Sequence, residues 1–464
     1  FEKLAIAQYP EIMNQQGQFP VIFFTFKEAK QPDWESCYAE LKRIIRQEYE
    51  RHLYLLDSEK LSPLDRELFK RITMQEADPE LYRPALKNLS SYLEQYHGVK
   101  PVVLIDEYDA PVHSGYGNGY YNKIIDFIRS FLGAGLKDNN ALNFAVMTGI
   151  LRVAKESIFS GLNHLGVYTI LDTKYETVFG FTQAEVDRLL QEYNLTDHAA
   201  GVRHWYNGYL IGNLESVYNP WSILNFITNR TLRAYWVNTS DNKLIQRLVE
   251  ESSITIKQEF ELLLKGEVVE KKVNDQIALD FFERDEASLW SFLLQAGYLS
   301  HAGVEMKGRQ LMAKLRLPNE EVHSFYDDVF RHWIDKTMHF DRYLTMLKSL
   351  VVGDVRQFKK FFYDITLYAL SAFDTGGNEP EKFYHALVLG MLVSLSESHE
   401  VISNRESGYG RYDIMIIPKS AGEQKPGIII EFKRIDRFEH EDLEKAVVSA
   451  LKQIEERQYQ AQLE

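Results

Sequence analysis

The sequence predicts an α/β plus α chain in three parts: a parallel-sheet domain, a helical middle region and a C-terminal α/β domain. Three observations predict it. In the N-terminal third, short and nearly all-apolar runs alternate with charged, helix-periodic segments, which is the pattern of a parallel sheet covered on both faces. Residues 182–330 and 340–372 follow a helical period, broken by aromatic-rich turns. After the run of turn residues at 374–380, a helix, two strands and a closing helix form a compact unit.

The elements follow in order. Residues 20–27 (PVIFFTFK) read as a buried strand, and 34–56 and 64–97 as charged helical segments. Lys100-Pro101 precedes a second strand, 102–106. A helix around 120–136 leads to a third strand, 143–147. All three belong in one parallel sheet, with Asp106 and Thr148 at the C-terminal edge where such sheets bind ligands. In the last part, 383–396 reads as an apolar helix, 412–418 (YDIMIIP) and 427–433 (GIIIEFK) as strands, and 442–459 as an amphipathic helix.

Composition bounds the function. At roughly 100–200 residues per domain, 464 residues make two to four domains. Apolar residues are 45% and aromatics 13%, enough to exclude a wholly disordered chain. Asp and Glu (67) outnumber Lys and Arg (53), giving a net charge of −14. That argues against a surface that binds nucleic acid indiscriminately, while leaving a local basic groove open. The one cysteine, Cys37, excludes an intrachain disulfide and a thiolate zinc cluster, and fits a reducing, cytoplasmic setting. The longest apolar stretch, 386–395, falls far short of the roughly 20 residues a spanning helix needs. No signal peptide is visible, so no membrane is expected. The first residue is Phe1, and the sequence is read as part of a longer chain.

The first chemical constellation is four apolar residues followed by Asp106-Glu107, as in a Walker B element. The strand end projects Asp106 toward a Mg²⁺ held by nucleotide phosphates, and Glu107 can polarise the attacking water. Asp109 follows, giving DEYDAP. An acidic loop capping a strand is the plain alternative. Thr148 ends a neighbouring strand, a suitable place for a polar group beside the γ-phosphate, and Arg152 lies one turn on. The G-x-x-x-x-G-K-[ST] loop that cradles phosphates is absent, and no Gly-Lys dipeptide occurs. Either that loop lies upstream of Phe1, or the nucleotide reading fails.

The second constellation is Asp413 with Glu431-x-Lys433. Residues two apart on a strand face the same way, so Glu431 and Lys433 point together. A hairpin-like turn can bring Asp413 alongside. Two carboxylates and an ammonium at a strand edge can hold a divalent metal, activate its water and neutralise a scissile phosphate. A surface salt bridge is the alternative, but a Glu that ends three consecutive isoleucines makes a poor solvated face.

At these residues the chain resembles the bacterial AAA-ATPase-like family whose members carry a C-terminal PD-(D/E)XK nuclease-like domain. The resemblance rests on VVLIDEYDAPVH (102–113), TGILRVAKESIFSGLNHL (148–165), WYNGY (205–209), VYNPWSILN (217–225), YWVNTSDN (235–242), EPEKFYHALVLGML (379–392), SNRESGYGRYDIMIIP (403–418) and IIIEFK (428–433). It implies a P-loop-ATPase-like sheet over 1–180 lacking the P-loop, a helical, winged-helix-like lid over 181–340, and a restriction-endonuclease-like domain over 341–464. It matches Asp106 and Glu107 to the Walker B pair, and Asp413, Glu431 and Lys433 to the nuclease core. Gln453 matches a position where this superfamily often has Gln. Glu397, Glu400 and Glu406 are candidates for a further acidic residue.

Other motifs have plainer readings. WYNGY and NPWSILN could stack bases, but packing with Asn-Gly and Asn-Pro turns is favoured. His385 could line the nuclease pocket or sit in a core. Arg405 and Arg411 could bind phosphates or pair with Glu406.

Together these features imply an ATP-regulated, Mg²⁺-dependent nuclease. The catalytic candidates are Asp413, Glu431, Lys433 and Gln453. The cofactor-binding candidates are Asp106, Glu107, Thr148 and Arg152, and the metal ligands Asp413, Glu431 and Asp106. The expected cofactors are Mg²⁺ or Mn²⁺, with ATP in the full-length protein. The expected partner is nucleic acid, DNA ahead of RNA, and an oligomer is left open. The alternative is an ATP-dependent switch whose nuclease-like domain binds without cutting. The net charge of −14 favours the switch, and the intact Asp413…Glu431-x-Lys433 set favours the enzyme.

Overall fold

A computed structural model describes residues 4–137, 139–150, 165–238, 242–250, 252–274, 286–338, 340–372, 392, 395, 398–403, 406–407, 410–411, 413–419, 426–431 and 443–459. Two compact units result. One comprises 1–179, 209–215 and 270–314, the other 180–208, 216–269 and 315–464.

The first unit is organised by a parallel sheet. Strands β1 (Val21–Thr25), β2 (Val102–Asp106) and β3 (Phe144–Met147) lie in the order β1-β2-β3. Their register runs from Val21↔Val102↔Phe144 at one end to Thr25↔Asp106 at the other. The connections are helical: α1 (Trp34–Glu50), α2 (Ala85–His97), α3 (Ala110–Gly117) and α4 (Tyr121–Leu136). Asp33 starts α1 by accepting a hydrogen bond from Ser36 N at 2.8 Å.

Side chains alternate across a strand. Ile22, Phe24, Val103 and Ile105 are buried, and the Phe24 ring meets Phe131 of α4 edge-on at 5.5 Å. On the opposite face, Val21, Phe23, Phe144 and Val146 on the two outer strands are exposed, while Val102 between them is buried. The sheet expected from the sequence is therefore apolar on both faces, but its second face carries exposed apolar side chains. The outer edge of β1 is blunted by a carboxylate: Glu48 of α1 accepts from Phe23 N at 2.9 Å.

Within 181–340, which reads as helical in the sequence, the structure also has strands. Val269–Lys272, Gln310–Arg316 and Ser300–Lys307 form a sheet in that order. Helix Glu286–Gln295 in the same stretch is buried through Trp290, Leu293 and Leu294.

The second unit contains a helical core and a small antiparallel sheet. In the helical core, Glu321, on the helix Glu320–Met338, is 1% exposed. It accepts from Ser222 Oγ at 2.7 Å and from the amides of Tyr235 and Trp236, each at 2.6 Å. Thus NPWSILN and YWVNTSDN meet at one buried carboxylate. Gly208 of WYNGY has φ of 120°, and a Cβ there would lie 1.8 Å from Pro318 O.

The C-terminal sheet comprises β4 (His399–Ser403), β5 (Ile414–Pro418) and β6 (Ile428–Ile430), in the order β6-β5-β4 and antiparallel throughout. Its two faces separate cleanly. Ile414 and Ile416, with Val401, Ile428 and Ile430, pack with Tyr343, Met346 and Leu347. Met415, with Ile402, Ile417 and Ile429, packs with Ile454 and Tyr459 from α5 (Leu443–Glu456) and the turn after it. The 374–380 boundary and the 383–396 helix lie outside the described residues, save Leu392 and Leu395.

Candidate functional site

At the C-terminal edge of the parallel sheet, the ends of all three strands converge on Asp106. Thr148 Oγ1 donates to Asp106 Oδ1 at 2.6 Å, and Thr25 Oγ1 reaches Oδ2 at 3.4 Å. Thr148 N donates to Ile105 O at 2.8 Å, and Tyr108 N donates to Thr148 O at 3.2 Å. Glu107 has φ of 50°, in the left-handed region that costs an L-residue roughly 1–2 kcal/mol. That turn swings the chain from β2 into α3. Lys30 Nζ stands 3.8 Å from Glu107 Oε2. Arg152 lies outside the described residues.

The second site is at the end of the β5–β6 pair. Ile414 pairs with Ile430, so one further step of the antiparallel register sets Asp413 opposite Glu431. By alternation both continue the Met415–Ile429 series, the α5 face of the sheet. Gln453 of α5 donates through Nε2 to Glu431 Oε1 and to Tyr459 Oη, the latter at 3.1 Å. An amide nitrogen carries two hydrogens, so it can serve both acceptors. Tyr459 is fully buried. Lys433, Glu397, Arg405 and His385 lie outside the described residues. Glu400 is exposed on β4, and the backbones of Glu406 and Arg411 pair with each other. Among the described residues, no group of three His, Cys, Asp or Glu side chains is arranged to hold a metal. No described helix is long and apolar enough to cross a membrane.

Several residues here escape sequence reasoning. Lys30 meets Glu107 only through the fold. His113, one helical turn after Asp109, places Nε2 3.2 Å from Asp109 Oδ2. Spacing alone could have flagged it. Tyr459 follows Gln453 by six residues, a spacing that carries no helical-face signal.

The described residues form a mixed α/β structure, with a parallel three-stranded sheet near the N-terminus and a small antiparallel sheet near the C-terminus. Comparison with known proteins agrees. Residues 1–159 match the model of a predicted AAA-ATPase family (AAA-ATPase-like), and residues 379–464 match that of the PD-(D/E)XK nuclease superfamily. The two matches lie in the order of the architecture that the sequence resembles, an AAA-ATPase-like region followed by a PD-(D/E)XK nuclease-like domain. An uncharacterised protein from the vnfD 5′ region of Azotobacter chroococcum mcd 1 is 32% identical over 228 residues. That alignment covers 48% of this chain and 42% of the relative, so the chain spans less than half of that relative's length.

Proposed function

We propose that the protein is an ATP-regulated, divalent-metal-dependent nuclease acting on nucleic acid phosphodiesters, DNA ahead of RNA. One observation supports this reading: continued by one residue, the β5–β6 register would bring Asp413 opposite Glu431, whose carboxylate accepts from Gln453. Two opposed carboxylates supply the hard oxygen donors that Mg²⁺ or Mn²⁺ takes, so the residues fit such an ion. When bound, the ion would lower the pKa of a water and neutralise charge on the phosphate. Asp413 and Glu431 would be its ligands, Gln453 would fix the Glu431 rotamer, and Lys433 would stabilise charge on the scissile group.

In the N-terminal part, Asp106 would take the metal of a bound nucleotide, Glu107 would orient water, and Thr148 and Arg152 would face the γ-phosphate. The domain assignment at 1–180, 181–340 and 341–464 belongs to this proposal. So does a winged-helix-like role for the middle region, which the sheet of 269–272, 310–316 and 300–307 supports.

The test is a cleavage screen of single- and double-stranded DNA and RNA with Mg²⁺ or Mn²⁺, with and without ATP. Wild type should cut at least one form, and Glu431→Gln should not. A folded wild type that binds nucleic acid yet cuts none would transfer the assignment to the switch reading.

A further inference from the structure

Asp109 is 2% exposed and lies three residues beyond Asp106. A carboxylate this deep is expensive to bury without partners. Its surroundings are specific. Asp109 Oδ2 lies 3.2 Å from His113 Nε2, a buried nitrogen whose contact is off the line of a hydrogen bond. The two residues are one turn apart, and the Asp109 carbonyl accepts from His113 N at 3.0 Å. The His113 ring in turn packs on Phe292, with centroids 6.3 Å apart. On the other side, a Cβ built on Gly149 would stand 2.7 Å from Asp109 Oδ1 and 2.7 Å from Tyr108 Cε1. A side chain at 149 would displace Asp109 or Tyr108 from the end of β3.

This packing closes a ring around the acidic pair. Thr148 grips Asp106, Tyr108 N grips Thr148 O, and Asp109 abuts Gly149. Between them Glu107 is held at φ of 50°, a conformation that persists only where its surroundings over-determine it. We infer that Asp109 and His113 are positioning residues, a buried carboxylate and a half-buried imidazole that fix the turn aiming Asp106 and Glu107 beyond the sheet edge. The purpose of that aim rests on the nucleotide reading proposed for this sheet edge; the geometry does not.

The test separates the two. Crystal structures of Asp109→Asn and His113→Leu in the intact protein should show Glu107 leaving the left-handed region. The Asp106–Thr148 distance should lengthen from 2.6 Å to beyond about 3.5 Å, where a hydrogen bond is lost. In ATP hydrolysis, each variant should lose on the order of 100-fold in kcat, with KM little changed, at a temperature where it is folded. His113→Gln, which keeps a polar group of similar reach beside Asp109, should lose less than His113→Leu. Unchanged Glu107 and Asp106 geometry in both variants overturns the inference. So does a loss confined to melting temperature. A full-length wild type, including the residues upstream of Phe1, that shows no hydrolysis ends the nucleotide reading alone, because the crystallographic arm still decides the positioning role.

Discussion

Thr148 donates its hydroxyl hydrogen to Asp106 at 2.6 Å, joining the ends of two parallel strands through side chains as well as backbone. Thr148→Val keeps the shape and removes the donor. Unfolding in urea should change by less than about 1.5 kcal/mol, the net worth of one hydrogen bond. Mg²⁺–nucleotide affinity of the intact protein should fall, and Thr148→Ser should restore it. Equal affinity in Val and Ser variants would remove Thr148 from the site.

Glu431→Gln keeps the size of the side chain and a carbonyl acceptor for Gln453, so it should abolish cleavage while melting close to wild type. Gln453→Ala removes a donor from Glu431 and from the Tyr459 hydroxyl. It should lose both cleavage and about 1–3 kcal/mol of stability, the cost of stranding a buried polar group. If Gln453→Ala melts lower yet cleaves at the wild-type rate, Gln453 is structural only.

The Glu321 carboxyl is pushed above its ordinary value of 4.5 by burial, against the hydrogen bonds from Ser222, Trp236, Tyr235 and Val237. The folded protein therefore holds this proton more tightly than the unfolded chain. Between pH 4.5 and the raised value, the native state binds more protons, so stability falls as pH rises through that window. Glu321→Gln should flatten this slope in melts taken from pH 4 to 7, read as the difference from wild type. Glu321→Ala leaves Ser222 and two amides without their acceptor, and should cost about 2–5 kcal/mol. A Gln variant with the wild-type slope would rule out Glu321 as its source.

Gly208→Ala should be severe. The added Cβ meets a backbone oxygen at 1.8 Å, at a φ of 120° that side chains avoid. A loss above about 3 kcal/mol is expected. Soluble, wild-type-like melting of this variant would contradict the packing at Pro318.

The parallel sheet was legible because each strand is a short apolar run, two of them leading directly into a chemically distinct residue, Asp106 or Thr148. The strands before and after the 420–426 turn were legible on similar grounds, and the pairing of Ile414 with Ile430 follows from them. Three isoleucines need a buried strand, and a carboxylate at the end of one needs a partner to justify its place. The strand Gln310–Arg316 was not legible. QLMAKLR is rich in good helix formers, and pairing with its neighbours overrides that preference. Glu321 was invisible as a core residue, since Glu320-Glu321 reads as a solvated helix start. Its hydroxyl partner, Ser222, is 99 residues away in sequence. Lys30, His113 and Tyr459 share that difficulty: only the tertiary fold supplies what they touch.

The open face of the parallel sheet has a consequence at the bench. Phe23, Phe144 and Val146 are 42%, 52% and 49% exposed on one face of the sheet, a flat greasy area beside a short strand edge. Such an area is adhesive in water. At crystallisation concentrations, self-association through this face is the expected outcome. A large hydrodynamic size therefore says nothing about biological assembly until it survives Phe144→Lys or a mild detergent. Complexes that persist after that treatment are the ones worth solving.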